Sequence, residues 1–199
     1  MNSFATTRSG RRFLIFTSLV GALFLAQNPA LSQNSIRQIR EKARPGKYHA
    51  LLEAFSGKWK IRIQYRIRPE TNPETAVGTA EFHWILGKRF LEQIVNGKGI
   101  AGSYEGRGIV GYDNVLGHYS GMWVDTMNTG LSRSIGSVEA DGKTFHFKFT
   151  GTNPLKGKEA SYDAVFRILD RNRLHYRLVQ SDPETGNSIA MLTIDYRRK

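Results

Sequence analysis

The stretch from Trp59 to Ile67 constrains this chain more than any other. Trp59, Ile61, Ile63, Tyr65 and Ile67 alternate with Lys60, Arg62, Gln64, Arg66 and Arg68. Successive side chains of a β-strand point to opposite faces, so a period of two makes one apolar face and one polar, mostly basic face. Turn residues cut the rest of the chain into pieces of strand length. These fall near 77–86, 89–96, 104–112, 117–125, 131–139, 143–150, 160–169, 173–181 and 188–197. Asp141-Gly142, between two of them, is a two-residue hairpin signal. No connection is long enough for a parallel crossover, so consecutive strands are expected to pair antiparallel as a meander. A meander can close on itself, and closure removes edge strands. The expected fold is all-β, a closed antiparallel up-and-down barrel of about ten strands.

Two segments precede the barrel. Residues 1–32 read as a cleavable signal peptide. Arg8, Arg11 and Arg12 form a basic start, and Phe13 to Ala26 is an apolar run. As a helix that run spans about 21 Å, short of a hydrocarbon core of about 30 Å. Ala30-Leu31-Ser32 supplies small residues for cleavage after Ser32, and the Arg11-Arg12 pair leaves the export route open. The mature protein is expected in the periplasm or outside the cell. Residues 33–56 are expected to be helical, interrupted at Pro45-Gly46 and ended by Gly57, with Leu51, Leu52 and Phe55 on one face. This segment would cap one mouth of a barrel formed by 57–199.

Composition narrows the function classes. The chain has no cysteine, so disulfides, thiolate metal sites, a cysteine nucleophile and a lipid-anchored N-terminus are all excluded. Its net charge is +12, which favours anionic partners without naming one. Gly106-Arg107-Gly108-Ile109-Val110-Gly111 matches a dinucleotide-binding spacing. That chemistry needs a strand before the glycines and a helix after them. Here they lie inside a strand, where glycine makes room for a neighbouring side chain. None of His49, His83, His118, His146 and His175 is paired at metal-ligand spacing, and no nucleophile elbow or phosphate loop is present. No catalytic residue, metal or cofactor is assigned. Asp113 reads as a turn residue, and Asp125 as a turn cap or a mouth-lining group.

Gly57-Lys58-Trp59, after a short helix and at the start of the first strand, resembles the Gly-x-Trp signature of the calycins, the lipocalins and fatty-acid-binding proteins. The resemblance implies a barrel with Trp59 packed across its closed end. From residue 47 to 199 the chain also resembles a bacterial family of unknown function, number 1579 in the domain-of-unknown-function series. The residues that carry this are His49-Ala50-Leu51, Trp84-Ile85-Leu86-Gly87-Lys88-Arg89-Phe90-Leu91, Tyr104-Glu105-Gly106, Gly111-Tyr112-Asp113-Asn114, Trp123-Val124-Asp125-Thr126-Met127 and Ile194-Asp195-Tyr196-Arg197-Arg198-Lys199. This second resemblance supports the fold and implies no activity.

A barrel of ten strands exceeds what side chains usually fill, so a lined cavity is expected. The leading expectation is a small apolar or amphipathic ligand, bound from the mouth away from Trp59. Tyr65, Trp84, Trp123 and Asp125 are the candidate lining residues, with Arg89 or Arg107 as an anion contact. Two alternatives stand beside it. An enzyme or haem-binding barrel would need polar groups such as His83, His118, Glu92 and Asp125 to converge inside. An envelope-interaction protein would use the basic face of Lys60, Arg62, Arg66 and Arg68 against an anionic surface. Nucleic acid is not an expected partner, because no recognition motif for it is present.

Overall fold

The computed structural model describes residues 29–66, 68, 70–99, 102–181 and 188–199. The expected signal peptide lies outside the described residues, apart from its last four positions, which enter the first helix. Helix α1 is Pro29–Lys42 and carries exposed Ile36 and Ile39. Up to Arg40 it belongs to a compact unit of its own; residues 41–199 make up the other unit.

In that second unit, α2 (Lys47–Leu51) runs into a 3₁₀ turn, Leu52–Phe55. Ten strands follow: β1 Gly57–Tyr65, β2 Glu74–Ile85, β3 Phe90–Gly99, β4 Gly102–Asp113 and β5 His118–Asp125. The remainder are β6 Ser132–Val138, β7 Thr144–Asn153, β8 Lys158–Asp170, β9 Arg173–Ser181 and β10 Ser188–Arg198. Each pairs antiparallel with its neighbour in sequence, and β10 returns to β1, closing the barrel. Two local expectations change. Asp141-Gly142 sits in a longer connection, 139–143, where Asp141 accepts the backbone N–H of Lys143 and of Thr144. The first strand ends at Tyr65, so Arg66 and Arg68 leave its basic stripe, and the Arg66 guanidinium instead donates to the Thr71 carbonyl.

Register carries the alternation of β1 around the whole sheet. Trp59 faces Ala80 and Arg198, and Ile63 faces Ala76 and Ile194. The inward parity thus continues through Phe82, Val95, Tyr119, Phe145, Phe166 and Leu174, all buried. Phe82, Tyr119, Phe145 and Phe166 pack with Phe55 of the 3₁₀ turn into an aromatic plug at one end. Phe55 meets Phe145 at 5.2 Å and Phe166 at 4.7 Å between centroids, both edge to face, the arrangement that ring quadrupoles favour.

Trp59 locks that end. It is fully buried, and its indole N–H donates to the Phe55 carbonyl at 2.8 Å. The Arg198 guanidinium lies 4.1 Å above its ring. Arg198 also donates to the carbonyls of Ser56 (2.7 Å), Ala54 (3.1 Å) and Arg171 (2.8 Å). One side chain therefore satisfies carbonyls left open at the end of the 3₁₀ turn and stacks on the tryptophan. Helix α2 is held by Tyr119, whose hydroxyl donates to the Tyr48 carbonyl at 2.7 Å, and by Tyr48 stacked on Tyr112 at 4.4 Å. His49 is buried beside it and accepts the Gly46 N–H at 3.1 Å. Burial lowers the pKa of His49, with nearby Arg89 adding to the effect, so the neutral acceptor form is favoured.

Replacing Trp59 with Phe removes a buried donor and leaves both a void and an unpaired carbonyl. The variant is expected to lose about 2–4 kcal/mol of unfolding free energy. Urea denaturation should show a lower midpoint with an unchanged slope.

Candidate functional site

Above the aromatic plug the barrel is hollow. The cavity measures about 430 Å³, within the range of small-molecule sites. Leu52 and Phe55 form its floor, and Lys98, Gly99, Gly102 and Met127 mark its opening at the end away from Trp59. Most of its wall is apolar, with Ile63, Val95, Phe147, Phe149, Leu178 and Leu192 prominent.

Polar groups are few, and nearly all are uncharged. Tyr104, Tyr162, Tyr176 and Tyr196 present phenols, with Gln93, Ser132 and Ser134 between them. Gln93 donates to the Tyr196 hydroxyl at 3.2 Å, and Asn153 to the Tyr162 hydroxyl at 3.1 Å. Burial pushes the pKa of Tyr104, Tyr176 and Tyr196 upward, and the Asp125 carboxylate adds to the rise at Tyr104. These phenols therefore stay protonated donors well above neutral pH. The Tyr65 hydroxyl, near Gly99 at the open end, is buried without a hydrogen-bond partner among the described residues.

Asp125 is the exception. It ends β5 on the inward parity, opposite Gly106. Its Oδ2 accepts the Trp123 indole N–H at 2.9 Å and the Tyr104 hydroxyl at 3.3 Å. Its Oδ1 accepts the Met127 N–H at 2.9 Å. Both expected roles, turn cap and wall of the mouth, are thus filled at once. Lys98, the other charged side chain at the cavity, has the outward parity of β3 and is exposed.

The glycines of the Gly106–Gly111 motif explain how Trp123 reaches the wall. A Cβ on Gly106 would come within 2.3 Å of the indole Cζ2, and one on Gly108 within 2.6 Å of Cε3. The indole lies flat against β4 because neither residue carries a side chain. The third glycine, Gly111, makes the same room for the Phe90 ring.

Three of the six candidate binding residues, Tyr65, Trp123 and Asp125, line the cavity. The structure places the other three elsewhere. Trp84 has the inward parity but lies at the closed end, where its indole N–H donates to Glu53 at 2.8 Å. Arg89 sits in the turn between β2 and β3 and donates to the Leu86 carbonyl at 3.0 Å. Arg107 has the outward parity of β4, with Glu92 and Glu105 3.9 and 3.7 Å away. Neither arginine can meet an anion inside the barrel. The convergence that an enzyme was expected to need is not formed either. His83 and Glu92 pair at 2.9 Å on the outer wall, His118 starts β5 opposite Asp113, and Asp125 stands alone inside. Among the described residues no three metal-ligating side chains gather.

Gln93, Tyr104, Tyr162, Tyr176, Tyr196, Ser132 and Ser134 are site residues that the sequence reading did not select. Their one signal is parity: each lies an even number of positions from an inward apolar residue on its own strand.

A family model described as "Protein of unknown function (DUF1579)" matches residues 44–198. No curated protein matches the chain. Among solved structures it is similar to a redesigned β-barrel, mFAP0, bound to DFHBI, at 16% identity and a TM-score of 0.40. That match covers 73% of this chain and 99% of the other. A second redesigned β-barrel aligns at 13% identity with the same TM-score of 0.40, over 76% of this chain and 95% of the other.

Gly108→Ala should push the Trp123 indole off the wall. The expected cost is about 1–3 kcal/mol of stability, as for other overpacked sites. The near-ultraviolet circular dichroism of Trp123 should change, while the far-ultraviolet β-signal stays as it is.

Proposed function

The chain belongs to the DUF1579 family, and from its hollow barrel we propose that it is a binding protein for one small apolar or amphipathic molecule. The observation that supports this reading most is the cavity: about 430 Å³, apolar over most of its wall, with a few phenols and serines. A solid interior would serve stability better, because voids forgo packing contacts. A buried hydroxyl without a partner among the described residues, as at Tyr65, also suits a site completed by a polar group of the ligand. In this reading the ligand enters at the end away from Trp59. The plugged end and its Trp59–Arg198 stack hold the frame. The basic start and apolar run of residues 8–26 support the further proposal that the barrel works after export.

Nile red, a neutral apolar dye, tests the reading. One dye per barrel should bind saturably with a blue-shifted emission. Ser134→Phe, which fills the cavity from β6, should weaken binding by about tenfold or more. A folded barrel that takes up no dye, or a Ser134→Phe variant that binds it unchanged, would overturn the proposal.

A second reading concerns the outer wall. Register sets Lys60 beside Arg197, and Arg197 beside Arg173, so a basic row crosses β1, β10 and β9. Such a row favours association with an anionic surface. The double variant Lys60→Glu with Arg197→Glu should abolish salt-sensitive sedimentation with phosphatidylglycerol vesicles. Undiminished sedimentation would discard the idea.

A further inference from the structure

We propose that the cavity selects its ligand by charge: it accepts an uncharged or cationic amphiphile and rejects an anionic one such as a fatty acid. The inference rests on the binding-protein reading and specifies the polar end of the molecule bound. Asp125 is the one charged side chain of inward parity among the described residues that line the cavity. All three of its hydrogen bonds are accepted ones, from Trp123, Tyr104 and Met127. That is the pattern of an acceptor-only carboxylate: Oδ2 already accepts two donors, and Oδ1, with one, keeps lone-pair capacity for another. Trp123 holds this carboxylate in place, and Gly106 and Gly108 in turn seat Trp123.

Among the described residues, nothing inside compensates for a second negative charge. Lys98 has the outward parity, and Arg107 and Arg89 are engaged outside the cavity. Arg198 has the inward parity, but it lies under the floor, stacked on Trp59 and bonded to three carbonyls. A carboxylate head entering the mouth would meet Asp125 without a counter-ion, in a setting where like charges repel more strongly than in water. An ammonium or hydroxyl head would instead donate to Asp125, and a carbonyl or hydroxyl deeper inside could meet the protonated phenols of Tyr176 and Tyr196. The charge of the whole molecule acts in the opposite sense. At +12 it draws anions toward the surface, so a preference against them must originate inside the barrel.

The test uses three amphiphiles of one chain length, decylamine, decanol and decanoate, each displacing Nile red from the full chain at neutral pH and below micelle formation. Decylamine and decanol should compete, and decanoate should be at least about tenfold weaker than decanol. Asp125→Asn keeps an acceptor for Trp123 and removes the charge. It should bring decanoate within about threefold of decanol and weaken decylamine by about tenfold. The wild-type series decides by itself if the variant does not fold. Decanoate binding as well as decanol to the wild type, or an unchanged ratio in a folded Asp125→Asn, would overturn the charge selection while leaving the binding reading standing. Failure of all three compounds and of the dye would overturn both.

Discussion

The closed end of the barrel depends on the packing of Trp59 between the 3₁₀ turn and Arg198. A meander of ten strands can slip in register or splay at its seam, because each strand is held only by its two neighbours. Here the seam is β1 against β10, and the clamp sits on it. Trp59 comes from β1 and Arg198 from β10, and Phe55 and Ser56 come from the turn that crosses the end. The indole donates to one carbonyl of that turn and the guanidinium to two more, while the rings beneath exclude water. Polar groups at a buried helix end would be costly if left open, and here they fix the turn to the sheet.

With one end sealed this way, the other can stay open. The inward parity carries large rings near the plug, and farther up rings such as Phe149 and Tyr162 share the wall with small residues. Gly97, Gly106, Gly108, Ser132, Ser134 and Ala76 all point inward above Phe55. Small residues at these positions are why a cavity persists instead of a continuous core. They also set its chemistry. Where Gly106 and Gly108 lie bare, Trp123 spreads over them and holds Asp125, so the wall gains one fixed negative charge among neutral phenols.

How much of this was legible in the sequence depends on which property is asked for. The strands were legible because alternation and turn residues are local. Every expected segment meets an observed strand, with differences of a few residues at the ends, as at Glu74, where β2 begins earlier than position 77. The motif glycines were readable as strand glycines for the same reason. Arg107 was misplaced although parity alone assigns it outward: Tyr104, Gly106 and Gly108 share one face, and Arg107 lies on the other. The flanking glycines concealed an apolar face that Trp123 completes only from β5.

Parity, strand number and neighbour order followed from residue types a few positions apart, because side-chain direction along a strand is fixed by covalent geometry. Depth along the barrel did not. Trp84 and Trp123 both point inward, yet one lies against Glu53 beside the plug and the other lines the cavity. Which residues share a level is set by the stagger between strands when the sheet closes. That stagger is a property of the whole ring of ten strands, so only the tertiary structure could bring Tyr104, Trp123 and Asp125 together at one level.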